Sequence, residues 1–132
     1  MSSPETEVVE KMFAAFAAKD VTQAVSTVSE DTLWIHHGTS KLPPMRFVGR
    51  TGVRQFFETN FNSMQMEYFR IKQIVQQGKL VIALGEEKFT MSGRDGAMAQ
   101  QWVQVYVVEN GLITRMDEYA TSAEDTDYGV VT

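Results

Sequence analysis

Asn110-Gly111 joins two β-rich alternating runs, AQQWVQVYVVE and LITRMDEYAT, and no other dipeptide constrains the fold as tightly. A two-residue type I′ turn needs positive φ at both central positions, and Asn-Gly supplies it. An unbroken ladder from that turn sets Glu109 opposite Leu112, Val107 opposite Thr114, Val105 opposite Met116, Val103 opposite Glu118 and Gln101 opposite Ala120. One face of the hairpin is then Val103, Val105, Val107, Met116 and Ala120, with the single acid Glu118 among them. The other face carries Trp102, Gln104, Tyr106, Arg115, Asp117 and Tyr119, an amphipathic mixture better suited to an interface than to a dry core. If the alternation ran the other way, Asp117 would replace Glu118 as the inward acid.

Upstream, the turns at Gln77-Gly78 and Ser92–Gly96 extend this hairpin into a four-stranded antiparallel meander of long strands, from about Met66 to Ala120. Strands this long must coil, and a bulge is expected near Gly85. The first half of the chain reads differently. Ser3-Pro4 with Glu5 and Glu7 is a helix start, followed by an apolar stripe of Val9, Met12, Phe13 and Phe16. Asp20 caps a short second helix with Val21, Ala24, Val25 and Val28 inward, and Ser29–Asp31 reads as a turn. Thr32–His37 alternates as a short strand with Trp34 and His36 on one face, and Met45–Val48 as another. A third helix begins at Thr51 or Gly52, with Val53, Phe56, Phe57 and Phe61 on its stripe. The fold class is therefore α+β, with the helices held in the concave face of a strongly curved, mainly antiparallel sheet.

The 132 residues form one expected domain, with residues 123–132 a loose acidic tail containing Glu124, Asp125 and Asp127. A net charge of −5 and the absence of a basic stripe argue against a nucleic-acid partner. No apolar run approaches the roughly 20 residues that cross a bilayer, and no basic segment with an apolar run opens the chain, so a cytoplasmic protein without a membrane partner is expected. The absence of cysteine removes disulfides, thiolate nucleophiles and cysteine metal sites. No third ligand stands at metal spacing from His36 and His37, and no phosphate-loop or nucleophile-elbow pattern occurs; neither metal nor cofactor is expected.

The element order, together with Glu30-Asp31-Thr32-Leu33-Trp34, Phe47-Val48-Gly49-Arg50-Thr51-Gly52-Val53 before Phe56-Phe57, and Asn110-Gly111-Leu112-Ile113 with Glu118-Tyr119, resembles the cone-shaped fold of nuclear transport factor 2 and ketosteroid isomerase. Within it, these stretches are similar to the SnoaL-like, polyketide cyclase-related branch. The resemblance implies His36 at the general-base aspartate of the isomerases, with their oxyanion tyrosine falling at Met12 and their oxyanion aspartate near Val103. It also matches Glu118 to the last-strand acid of limonene epoxide hydrolases, whose partner Arg and Asp fall on Val103 and Val105.

His36 and Glu118 are thus the candidate catalytic pair: an imidazole that titrates near neutrality to take a proton alpha to a carbonyl, and an acid desolvated among aliphatic side chains to steady the enolate oxygen. Met12, Phe16, Trp34, Phe57, Val103, Val105, Met116 and Ala120 are the expected lining of an apolar pocket for a small or polycyclic carbonyl ligand. Trp102, Gln104, Tyr106, Arg115, Asp117 and Tyr119 are the expected homodimer face, with His37 beside it. Two other function classes remain open at this stage: a ligand-binding protein that has lost catalysis, and an interaction module using its aromatic sheet face.

Overall fold

The computed structural model of the chain describes residues 3–123 and 125–132; Glu124 of the expected tail lies outside them. Helix α1 spans Pro4–Ala17 and is capped by the Ser3 hydroxyl, which accepts from the Thr6 N–H at 3.1 Å. Val9, Met12 and Phe13 are buried on its inner stripe. Helix α2, Val21–Val25, starts where the Asp20 carboxylate accepts from the Gln23 N–H at 3.0 Å. Helix α3, Gly49–Ser63, buries Val53 and Phe57.

Six strands form one open sheet: β1 (Val28–His36), β2 (Met45–Val48), β3 (Met64–Gln77), β4 (Leu80–Met91), β5 (Ala97–Glu109) and β6 (Leu112–Ala120), in the order β2-β1-β6-β5-β4-β3. All neighbours are antiparallel except β1 and β6. The parallel pairing carries His36 beside Glu118. It also explains why Ser29–Asp31 is strand and not the expected turn: Val28 pairs with Ile113, and the Thr32 hydroxyl donates to the Ile113 carbonyl at 3.0 Å, so the last strand holds this polar stretch extended. Tertiary pairing here overrides local turn preference.

At the hairpin, Asn110 and Gly111 have φ of 53° and 78°, both positive as expected. The ladder beyond it is not unbroken. Val108 pairs with Ile113 but Val107 pairs with Arg115, so one residue of β6 is left over. Thr114 fills the gap, its hydroxyl donating to the Val107 carbonyl at 3.2 Å. Such a bulge shifts every later side chain of one strand relative to the other by one. Consequently Gln104 lies opposite Glu118 and Tyr106 opposite Met116. This corrects the expected faces of β5: Val103, Val105 and Val107 turn to the convex side, and Trp102, Gln104 and Tyr106 turn to the concave side, all three of the latter buried.

The irregularity expected near Gly85 lies in the strand facing it, where Ile71 pairs with Gly85 and Gln73 with Leu84. Gly85 itself is required by Trp102: a Cβ there would stand 2.1 Å from the indole Cζ2 and 2.6 Å from the Arg70 carbonyl oxygen. The indole is stacked in turn on Phe13 and Phe69, at centroid distances of 6.0 and 5.2 Å. These rings fill the concave face under α1, leaving open space between them and the end of the sheet that carries His36. Among the described residues, no helix is long and apolar enough to cross a membrane.

Candidate functional site

The open space is a cavity of about 380 Å³ bounded by α1, α3, the Leu42–Pro43 loop and the concave sheet face. Met12, Phe16, Trp34, Phe57 and Met116, expected in the lining, are all in it, and so are His36 and Glu118. Val103 and Val105 are not, because the bulge turns them to the other face. Ala120 sits near the end of β6, partly buried against the core beside Trp102 and outside the lining. Gln104 and Tyr106, expected on the interface, line the cavity instead; Trp102 packs in the core under Phe13.

The polar groups form a chain across three strands. His36 Nε2 is 3.0 Å from Glu118 Oε2. Gln104 donates its amide N–H to Glu118 Oε1 and accepts, on its own oxygen, the Tyr106 hydroxyl. At the other end, the Gly38 N–H donates to His36 Nδ1 at 3.0 Å. With Nδ1 accepting, the neutral ring carries its hydrogen on Nε2 and donates it to Glu118. Each member therefore fixes the next, and Glu118 receives a donor on each oxygen.

The electrostatics follow from burial. The hydrogen bond to the Glu118 carboxylate raises the His36 pKa, against burial, which lowers it. Burial, reinforced by the charge of Glu118, lifts the Tyr106 phenol well above its ordinary value. A second acid, Glu87 on β4, also lines the cavity, and burial followed by the like charge of Glu118 pushes its pKa up to about 8. Glu87 thus keeps its proton near neutrality in an apolar space that it shares with a second acid, Glu118. Across from Glu87 on β5 is Gln100, whose side-chain N–H group is buried without a partner, as is the Trp34 indole N–H.

Glu87, Gln100, Gln104 and Tyr106 are the site residues that the sequence reading missed. A signal for Glu87 was present: Val81, Ala83, Gly85, Glu87 and Phe89 alternate on one face of β4, and placing Phe89 inward places Glu87 inward as well. For the β5 residues, the position of the bulge was needed.

Of the alternative acids, Glu118 faces the cavity and Asp117 the convex side. There Asp117 binds His37 at 2.8 Å and Arg115 at 2.7 Å, and His37 stacks on Tyr119 at 4.3 Å. The hydrogen bonds from Arg115 and then His37 hold the Asp117 carboxyl below its ordinary pKa. Among the described residues no three His, Asp or Glu side chains converge as a metal ligand set.

A six-stranded curved sheet wrapped around an N-terminal helix, with polar groups at one end of the enclosed space, defines the NTF2-like class. An NTF2-like protein from Burkholderia xenovorans superposes with a TM-score of 0.80 at 20% identity, covering 91% of each chain. TerC, crystallised with polyporic acid, has a TM-score of 0.72 at 23% identity over 89% of this chain and 91% of its own. An LEH-like epoxide hydrolase from M. tuberculosis has a TM-score of 0.70 at 15% identity over 89% and 82%. No curated protein matches the sequence. Within the class, residues 9–116 match the SnoaL-like domain, and the chain belongs to that family.

Proposed function

We propose that this SnoaL-like protein is a cofactor-independent proton-transfer enzyme, of isomerase or cyclase type, acting on a small apolar carbonyl compound. The observation that carries the reading is the His36–Glu118 pair, hydrogen-bonded and set in the wall of one apolar cavity. The hydrogen bonds favour a division of labour opposite to the one expected from sequence. Both ring nitrogens of His36 are engaged, Nδ1 by Gly38 and Nε2 by Glu118, whereas each oxygen of Glu118 keeps a second lone pair.

In this scheme Glu118 takes the proton alpha to the carbonyl as the C–H electron pair becomes an enolate, and returns it to another carbon of the conjugated system. His36 and Gln104 hold the carboxyl in place throughout. The unspent indole N–H of Trp34, two residues from His36 on the same strand face, supplies a donor for the developing oxygen charge.

The test is hydrogen–deuterium exchange alpha to the carbonyl of a panel of aryl ketones in D₂O, followed by proton NMR. Positioned acid/base groups contribute roughly 10²–10⁴-fold, so Glu118→Gln should lower exchange at least about 100-fold while binding persists. Equal exchange in the variant would sink the reading. Ligand binding without exchange in either protein would leave the chain a binding protein.

The partner proposed beyond the ligand is a second copy. Leu80, Ile82 and Leu84 of β4 pair with Val107, Val105 and Val103 of β5, giving the convex face an aliphatic stripe beside the Arg115, Asp117 and Tyr119 cluster. A contiguous apolar face of that kind favours a symmetric pair over an isolated monomer.

A further inference from the structure

The same cavity wall holds a second pair of polar groups that the proton transfer leaves unused. Glu87 and Gln100 face each other across β4 and β5, line the cavity, and are 8% and 2% exposed. Gln100 Nε2 is buried without a hydrogen-bond partner. So is Trp34 Nε1, and these are the two unpartnered buried polar atoms among the described lining residues. Both are N–H donors. A cavity whose unspent groups are donors is complementary to a ligand that brings acceptors, since a buried donor left unmade is costly and is retained where something satisfies it.

Glu87 adds to this. Its carboxyl is held in an apolar wall with the like charge of Glu118 as its electrostatic neighbour, and the protonated group is a further O–H donor. The same charge disfavours an anionic ligand, and the unspent amide N–H of Gln100 offers nothing to an ammonium ion. An uncharged oxygen acceptor fits both. Its backbone separation from the dyad follows from the strand: Gln100 and Gln104 are four residues apart on one face of β5, at most roughly 13 Å along an extended strand, and the concave curvature brings their side chains closer than that, so that Glu87 still feels the Glu118 charge. Gln104 holds Glu118, so the ligand must be long enough to reach from one pair to the other.

We propose that Glu87 and Gln100 form an oxygen-binding subsite that holds a neutral carbonyl oxygen at the end of an elongated, uncharged ligand remote from Glu118. The inference deepens the proposed function by giving the substrate its shape, and it rests on that reading only for which end reacts.

The test is binding, read by quenching of tryptophan fluorescence, with three probes of equal size: 4-acetylbiphenyl, 4-isopropylbiphenyl and biphenyl-4-carboxylate. The wild-type protein should bind the ketone about tenfold more tightly than the hydrocarbon, as expected for a satisfied pair of buried donors. That preference should fall below about twofold in Gln100→Leu and Glu87→Leu, and persist in Glu87→Gln, whose amide still donates. The infrared carbonyl band of the bound ketone should lie at lower wavenumber in the wild type than in the leucine variants, with thermal melts showing that each variant is folded.

Glu118→Gln should keep the ketone preference. Loss of the preference in Glu118→Gln with retention in Glu87→Leu would place the ketone at the dyad and overturn the subsite, leaving the proton-transfer reading intact. A ketone that binds no tighter than the hydrocarbon, a carboxylate that binds as tightly as the ketone, or no saturable ketone binding would each overturn it too. The predicted pattern in a protein that exchanges no ketone proton would uphold the subsite and count against the enzyme.

Discussion

At His36 the ring is tied at both ends, and its contribution to stability depends on pH in a definite direction. A histidine whose folded pKa is raised stabilises fully below its ordinary 6.5 and loses that contribution as pH rises through the folded value. Glu87 acts in the same direction by a different route. Its folded pKa of about 8 against an ordinary 4.5 means that the folded protein keeps a proton that the unfolded chain has released. Stability should therefore fall between about pH 4.5 and 8, by an amount on the order of a few kcal/mol. The lowered Asp117 opposes this only on the acid side, where its contribution is lost as pH falls through its folded pKa. Urea unfolding across pH 5 to 9 should show a decline in the wild type and a much flatter profile in Glu87→Gln. A wild-type stability that rises over that range would contradict the assignment. His36→Ala removes the Nε2 donor from buried Glu118 and should cost roughly 1–3 kcal/mol by the same measurement. These residues were legible to different degrees. Trp34 and His36 were placed correctly because β1 is regular over Leu33–His36. Glu118 was placed inward from the alternation of its own strand, but its neighbours on β5 were assigned to the wrong face.

At the scale of the element, that error has one origin, the residue left over at Thr114. Periodicity reads each strand separately and correctly: Trp102, Gln104, Tyr106 and Val108 do share a face, as do Met116 and Glu118. What it cannot supply is the phase between them, because a bulge changes the phase without changing either pattern. Deleting Thr114 makes Arg115 the direct successor of Ile113, and a regular ladder from the same turn then sets Val107 against Arg115 and Gln104 against Glu118, as they stand now. The deletion should thus be tolerated, with a loss of about 1 kcal/mol for the Thr114 hydrogen bond and the ketone exchange retained. Inserting an alanine after Thr114 adds another shift, turns Glu118 away from Gln104, and should abolish both cooperative unfolding and activity. Thermal melts with the exchange assay on both variants check the pair of outcomes; a harmless insertion would refute the account.

For the whole molecule, the order of helices and strands and the strongly curved sheet were readable from turn residues and from periodicity alone, whereas the parallel seat of β1 against β6 was not. Nothing in Val28–His36 marks which edge it joins; the choice is made by contacts distant in sequence, such as Thr32 to Ile113. The convex face is where the misread valines matter most. If two copies meet there, Val105→Glu places a charge in the centre of the aliphatic stripe and should halve the mass found by light scattering, with the fold retained by circular dichroism. An unchanged mass would remove that face as the interface.

Gly85 and Trp102 carry a consequence for how the protein can change over generations. While the indole is present, no side chain can be added at Gly85, since even a methyl group would meet the ring at 2.1 Å. Replacing Trp102 with alanine costs about 3–5 kcal/mol and opens space beneath Phe13 and Phe69, which already border the cavity, but it leaves Gly85 barred, because the added carbon would still stand 2.6 Å from the Arg70 carbonyl oxygen. The chamber can therefore lengthen through the tryptophan alone, and a lineage that survives its loss can admit a larger molecule while the glycine stays fixed by the neighbouring backbone.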